Sequence, residues 1–223
     1  MIARLRFRII AAIALFGCAL QAVNAEPRIE HHSGPGWTYF RLGNPNDAHA
    51  ITKPGTVFEG GGTDVKNAYQ WMCRRGGNGD FLVIRATGTD AYNKYVQRLC
   101  PAINSVATLI IANSRGANQP FVRRTMKRAE ALFIAGGDQS DYVKFWQKTP
   151  VNRAINRLAQ NGVPVGGTSA GNAILAQFAY SALTGSITSD QALADPFDSR
   201  ITIDKGFLRL SPLLRNRITD DHF

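Results

Sequence analysis

Short apolar runs alternate with amphipathic stretches along most of this chain, and this alternation limits the fold more than any other feature. Runs such as FLVIRATG, VATLIIAN and ALFIAGGDQ are continuously apolar, as strands buried on both faces are. Stretches such as DVKNAYQWMCRR and PVNRAINRLAQNG have the three- to four-residue spacing of helices. The pattern predicts an α/β fold with a doubly wound, mostly parallel sheet and helices on both faces.

Glycines mark the ends of the predicted strands. They fall at Gly60–Gly62, Gly88, Gly136–Gly137 and Gly166–Gly167. In open α/β sheets, ligands bind beyond the carboxyl ends of the strands, where glycine lets the backbone turn tightly and approach a ligand. We therefore expect a functional site along this edge of the sheet.

The first 25 residues resemble a secretory signal peptide. Three arginines precede an apolar run over residues 9–23, and the sequence VNA offers a cleavage site after Ala25. We expect a secreted or periplasmic protein; a lipoprotein, with Cys18 as the lipidated residue, is the less favoured alternative. Residues 26–54, rich in Gly, Pro, Asn and His, are expected to form a loop-rich segment, followed by one domain over residues 55–223.

The chain is basic, with 26 Lys and Arg against 16 Asp and Glu. A basic exported protein can meet an anionic partner. The densest basic run, RRTMKR over residues 123–128, is interpreted as the solvated face of a helix, so neither nucleic acid nor membrane is an expected partner of the cleaved protein. Cys73 and Cys100 can pair in an oxidising compartment, and their spacing leaves this open.

Ser169 lies in GTSAG, between Gly167 and Gly171, where a predicted strand meets a predicted helix. The pattern G-x-S-x-G in this context is typical of a serine nucleophile held on a sharp turn. Serine is also a common helix N-cap, and that alternative stands beside the catalytic one.

A nucleophilic serine needs a base and an acid that orients it. Of the four histidines, His222 lies in RITDDHF, which is predicted as a short strand that ends on the same edge as Ser169, and it is the leading base, whereas the other three lie in the loop-like N-terminal segment. Four aspartates lie between Ser169 and His222, and Asp190 is the chosen acid because it follows the predicted helix by a short loop. An α/β-hydrolase fold is disfavoured, because about 50 residues span all three positions and no HGGG-type motif is present.

The stretch FIAGGDQ offers a second turn at a strand end. The amides of Gly137 and Ala170 could together form an oxyanion hole. The alternative is a plain tight turn in which Asp138 or Ser140 caps the next helix. No spacing of Cys, His and carboxylates predicts a metal site, and EGGGTDV lacks the third glycine of a dinucleotide-binding motif, so no cofactor is expected.

Three motifs in order, AGGDQ, GGTSAGNA and ITDDHF, resemble the cyanophycinase and peptidase E group of serine peptidases, family S51. The resemblance runs from Gly55 to the end. It implies a flavodoxin-like fold related to class I glutamine amidotransferases, Ser169 as nucleophile and His222 as general base. It also implies Gly137 and Ala170 as oxyanion donors. Gln139 and Asp220 would lie near the substrate.

Cyanophycinases release β-aspartyl-arginine dipeptides from a poly-aspartate polymer that carries arginine, whereas peptidase E members cut short peptides after an N-terminal aspartate. Export favours the polymer. The chain departs from the family pattern in two ways. Asn172 replaces a small or apolar residue, and family sequences continue beyond Phe223 with further arginines. The domain is therefore expected to be incomplete at its C-terminus. An aspartyl dipeptidase and a non-catalytic binding relative are the alternative functions. A homodimer is an open alternative for the assembly.

Overall fold

The computed structural model describes residues 29–205 and 207–220. The predicted signal peptide, the base candidate His222 and the rest of residues 221–223 lie outside the described residues. Within the described ranges, no helix has the length and apolar character needed to cross a membrane.

Seven strands form the main sheet, in the order β1-β2-β5-β4-β6-β7-β3. Strands β3 to β7 run parallel, and β1 and β2 add an antiparallel hairpin beside β5. This arrangement confirms the predicted mostly parallel, doubly wound sheet. The strands are β1 (Glu30–Gly34), β2 (Trp37–Gly43), β3 (Thr56–Glu59), β4 (Asp80–Arg85), β5 (Ser105–Ile111), β6 (Ala131–Ile134) and β7 (Val165–Thr168).

Helices cover both faces of the sheet, because successive side chains of a strand point to opposite sides. In β4, Phe81 and Val83 join a core with α1 and α2, whereas Leu82 and Ile84 join the larger core with α4, α5 and α6. The helices are α1 (Lys66–Arg75), α2 (Ala91–Leu99), α3 (Ser114–Ala117), α4 (Pro120–Lys127), α5 (Gln139–Trp146), α6 (Pro150–Gln160), α7 (Ala170–Ala173) and α8 (Ser189–Ala194).

The expected loop-rich segment contains a hairpin that the sequence interpretation missed. Strand β2 pairs with β5 along its whole length and buries Tyr39 and Leu42. Trp37 stacks on Phe121 of α4, with ring centroids 4.1 Å apart. The signal was the alternation in WTYFRLG, which is short and flanked by Gly, Pro and Asn; only pairing with a strand 60 residues later makes it regular.

The expected helix after Ser169 is also much shorter than predicted. Helix α7 ends at Ala173, and the chain then forms β8 (Phe178–Tyr180), which pairs with β9 (Ile203–Lys205) in a separate two-stranded sheet. Residues 170–176 are buried on all sides, so their apolar run carries no periodicity that distinguishes helix from other buried structure. The predicted strand at RITDDHF is reduced, in its described part, to an isolated bridge between Ile218 and Phe178.

A disulfide joins Cys73 of α1 to Cys100, the residue that ends α2. Both cysteines are buried in the core beneath these helices, where Cys73 is 1% and Cys100 6% exposed. The two helices are thereby joined near their C-terminal ends.

We call the end of the sheet at which the parallel strands β4 and β5 begin the amino edge, and the opposite end the carboxyl edge. The disulfide lies near the amino edge.

Candidate active site

Ser169 occupies a sharp turn between β7 and α7 at the carboxyl edge. Its backbone has φ 51° and ψ −126°, a region that residues other than glycine rarely adopt. Its side chain makes no hydrogen bond that caps α7. The N-cap interpretation therefore does not explain this serine, whereas strained backbone of this kind is typical of functional sites.

The glycines around Ser169 are required by packing. A Cβ on Gly171 would lie 2.1 Å from the carbonyl oxygen of Ile134, and one on Gly167 would lie 2.6 Å from the carbonyl oxygen of Gly171. Gly136 also lies beside the serine, since a Cβ on it would lie 3.3 Å from that of Ser169. The spacing G-x-S-x-G thus lets the turn lie directly on β6.

The Gly136–Gly137 turn is held against Ser169 by α5. Tyr142 Oη lies 2.7 Å from the carbonyl oxygen of Ala135 and 3.1 Å from that of Gly136, and burial raises the pKa of this phenol. The Asp138 side chain accepts a hydrogen bond from the amide of Ser140 and so caps α5, as one alternative of the sequence analysis expected.

The backbone amides of Gly137 and Ala170, one from each of the two turns, are available as hydrogen-bond donors. Among the described residues, no backbone hydrogen bond outside the helices and strands uses the amide of Gly137 or of Ala170. Ala170 opens α7 directly after Ser169. Amides at such positions can stabilise a negative oxygen that develops next to the serine hydroxyl.

Strand β3 flanks the other side of the serine turn. Thr168 Oγ1 donates to the carbonyl oxygen of Gly60 at 2.8 Å, and the Ser169 amide donates to that of Glu59 at 3.4 Å. The Glu59 carboxylate is buried and accepts from the Val65 amide at 3.1 Å, and this burial raises its pKa. Sequence reasoning missed Glu59 and Tyr142, because Glu59 is the last residue of an ordinary strand and Tyr142 lies within an amphipathic helix.

The histidines of the described residues lie far from Ser169. His31 and His32 lie on β1, which four strands separate from β7, or roughly 24 Å at the usual strand spacing. His31 stacks on Phe40, and His49 lies beside Asp47 with Nε2 and Oδ2 3.8 Å apart. His222 is the remaining candidate, outside the described residues.

The structure does not bring Asp190 to a buried position. It is exposed in the first turn of α8, where a carboxylate stabilises the amino end of a helix. The other three aspartates of this region have local partners. Asp195 accepts from the Phe197 amide, Asp198 forms an ion pair with Arg200 that lowers its pKa to about 2, and Asp204 accepts from Gln147. A triad acid is normally buried against its histidine, and because His222 lies outside the described residues, the role of Asp190 stays a prediction.

Gln139 and Asp220 come together in the structure, whereas their place near a substrate stays a prediction. Both line one cavity of about 370 Å³ at the carboxyl edge, with isoleucines and hydroxyl side chains of the α8 region on its other walls. Thr219 Oγ1 donates to the carbonyl oxygen of Asn172 in α7 at 2.7 Å. This contact brings the chain just before residue 221 beside the helix that follows Ser169.

Polar side chains that the sequence did not single out meet at the amino edge. Carboxylate oxygens of Asp47, Asp80 and Glu130 lie within 4.8 Å of one another. Asp80 Oδ1 accepts from Ser105 Oγ at 2.6 Å, and Glu130 Oε2 accepts from the Asp80 amide at 2.7 Å. These bonds join the starts of β4, β5 and β6. Burial raises the pKa of Glu130.

Two comparisons with known proteins bear on the family and the fold. The sequence model of peptidase family S51 matches residues 83–194, half of the chain and including Ser169. The fold is similar to the crystal structure of a peptidase from an acI-B1 actinobacterium, with a TM-score of 0.51 and 18% identity over 74% of this chain and 67% of that one. No curated protein matches the sequence.

Proposed function

Since the chain belongs to peptidase family S51, we propose that it is an exported serine exopeptidase of the cyanophycinase type, which hydrolyses cyanophycin to β-aspartyl-arginine dipeptides. The observation that carries this proposal is the backbone of Ser169, held at φ 51° between two glycines: a Cβ on Gly171 would collide with β6, and a Cβ on Gly167 with the carbonyl of Gly171. The strain keeps the hydroxyl at the carboxyl edge, where a substrate can reach it.

The proposed mechanism follows from the residues at this edge. Ser169 Oγ attacks the scissile carbonyl while His222 takes its proton. The tetrahedral oxyanion accepts hydrogen bonds from the amides of Gly137 and Ala170, each worth about 3 kcal/mol of transition-state stabilisation. His222 then gives the proton to the leaving amine. In deacylation, His222 takes a proton from water, the water oxygen attacks the acyl carbonyl, and His222 returns the proton to Ser169 Oγ.

The cavity between Gln139 and Asp220 supports a substrate with cationic, partly aliphatic side chains. The Asp220 carboxylate offers a charge partner for a guanidinium group, and isoleucines such as Ile203 can pack on its methylene stem. Asp190 stays the acid proposed from sequence. An Asp190→Asn variant tests this role, because loss of an orienting acid lowers turnover by orders of magnitude whereas loss of a helix-end charge does not.

Export is supported by two independent features. The first 25 residues have the build of a signal peptide with cleavage after Ala25. The Cys73–Cys100 disulfide is of the kind that persists in oxidising compartments such as the periplasm.

The test is incubation of the purified chain with cyanophycin, with mass spectrometry of the soluble products. We expect β-aspartyl-arginine from the parent and none from Ser169→Ala, with circular dichroism showing that both are folded. Short peptides with an N-terminal aspartate form a second arm. Cleavage of these peptides alone would replace the cyanophycinase proposal with an aspartyl dipeptidase, and hydrolysis by Ser169→Ala at the parent rate would overturn the mechanism.

A further inference from the structure

Helix α4 presents basic side chains on two faces with different surroundings. On one face, Arg124 and Arg128 line a cavity that also contains carboxylates, and Arg128 Nε lies 3.5 Å from Asp47 Oδ2. On the other face, Arg123 and Lys127 lie one helical turn apart. The basic run RRTMKR is therefore not one uniform solvated face.

Helix α6 adds a second pair of cations opposite the first. Arg153 and Arg157 are also one turn apart, and with Arg123 and Lys127 they line a groove of about 480 Å³ between the two helices. No carboxylate lines this groove. We call it the basic groove.

The four cations have no acidic partner within the described residues. None of the ion pairs found there includes them, and Arg153 donates only to the carbonyl oxygen of Lys148, at 3.2 Å. All four are exposed, so their terminal groups can reach a ligand from the solvent. Like charges one turn apart on a helix repel each other, and an anion bound between them would relieve that repulsion.

Three of the four groups are arginines, and this favours phosphate as the ligand chemistry. A guanidinium presents a planar fork of donors that matches two phosphate oxygens at once, whereas an ammonium acts as a point charge. All four residues line one concave space between two helices, which differs from a row of cations on a flat face. A compact anion with several phosphate groups fits this concave space better than a membrane surface does.

We propose that the basic groove binds a free oligophosphate anion at Arg123, Lys127, Arg153 and Arg157. The site lies along the α4 and α6 surface and uses none of the residues placed in the peptidase mechanism. A test of this site is therefore independent of any test of the proposed peptidase function.

Isothermal titration calorimetry with sodium tripolyphosphate tests the site on the purified chain. We expect the double variant Arg153→Gln/Arg157→Gln to bind at least about 10-fold more weakly than the parent, because two charge-assisted contacts are lost. Arg124→Gln is the control on the other face of α4; it removes one positive charge where the double variant removes two, and its affinity should stay within about twofold. Tripolyphosphate should also raise the melting temperature of the parent and of Arg124→Gln more than that of the double variant.

Vesicles of phosphatidylglycerol in phosphatidylcholine provide the second arm. If vesicles bind through the same arginines while tripolyphosphate neither binds nor competes, the ligand is a lipid surface and the free-anion proposal is wrong. A loss of binding free energy in Arg124→Gln that is half as large as in the double variant would also overturn it, because binding would then reflect net charge alone.

Discussion

The two edges of the sheet are built from different chemistry. At the carboxyl edge, glycine turns and the positive φ of Ser169 bring backbone amides and one hydroxyl together. At the amino edge, carboxylates of Asp80 and Glu130 bond the starts of three strands together, and the Cys73–Cys100 disulfide links two helices nearby.

This difference separates function from stability within one sheet. Strained backbone costs free energy and persists only where the surrounding structure holds it. Satisfied polar networks and cross-links stabilise the folded chain. We therefore expect variants at the carboxyl edge to change activity, and variants at the amino edge to change unfolding with activity preserved at permissive temperature.

Ser169→Ala should produce the largest effect. Removal of the nucleophile is expected to lower kcat/KM by at least about 10³-fold, with the melting temperature changed by no more than about 2 °C, because the side chain caps no helix. Steady-state assays and differential scanning calorimetry on the same preparation check both halves. A large drop in melting temperature would mean that the serine is structural, and the contrast between the edges would fail.

Removal of the disulfide should produce the largest effect on stability. The two cysteines are 27 residues apart, and a loop of that length is worth about 3.5 kcal/mol of stability in the chain-entropy account. Cys73→Ser/Cys100→Ser should therefore melt roughly 7–14 °C lower and stay active below that temperature. Mass spectrometry of the unreduced chain should find the two cysteines linked, and free thiols in the folded protein would remove this prediction.

Gly171→Ala should disturb the serine turn by overpacking. Its Cβ would lie 2.1 Å from the Ile134 carbonyl oxygen, and backbone cannot move aside cheaply, so we expect about 1–3 kcal/mol of destabilisation together with a large loss of activity. Gly62→Ala is the matched control, since a Cβ there meets nothing within 4 Å. Equal effects of the two substitutions would show that the close approach to β6 is not what the turn requires.

Glu130 offers the smallest and most specific test of the amino edge. Burial raises its pKa above the ordinary value of 4.5, so the folded state holds this proton more tightly than the unfolded state does. Its contribution to stability consequently falls as the pH rises from about 4.5 through the folded pKa. Glu130→Gln removes the buried charge and keeps an acceptor for the Asp80 amide.

We expect Glu130→Gln to raise the melting temperature at pH 7 by a few degrees, corresponding to about 1 kcal/mol, and by less at pH 4.5. Glu130→Ala should lower it at both pH values, because the Asp80 amide loses its acceptor. Thermal scans at the two pH values check this. A stabilisation that does not depend on pH would show that the charge of Glu130 is not what burial disfavours.

The sequence predicted the carboxyl edge better than the amino edge for a physical reason. The turn at Ser169 depends on glycines two residues away, so a short stretch of sequence is enough to identify it. The strands around it are short apolar runs, which the sequence also shows directly. Asp47, Asp80 and Glu130 are scattered along the chain and meet only because β4 and β6 are neighbours in the sheet. The hairpin of β1 and β2 was missed for the same reason.

The residues after Ser169 show a second limit of local reasoning. Helix α7 lasts only four residues within a continuously buried apolar run, and in such a run helix and extended chain have the same pattern. Asp190 was chosen on the assumption of a long helix. Because α7 is shorter than predicted, Asp190 lies instead in the exposed first turn of α8.

The most direct test of the central claim is to trap the acyl-enzyme on Ser169. The purified chain is mixed with excess cyanophycin oligomer and quenched with acid within milliseconds, and digests are examined by mass spectrometry. The account predicts an acyl group on the peptide that contains Ser169, absent from Ser169→Ala. Substrate turnover with no adduct on this peptide, or with an adduct on another residue, would contradict the role given to the carboxyl edge.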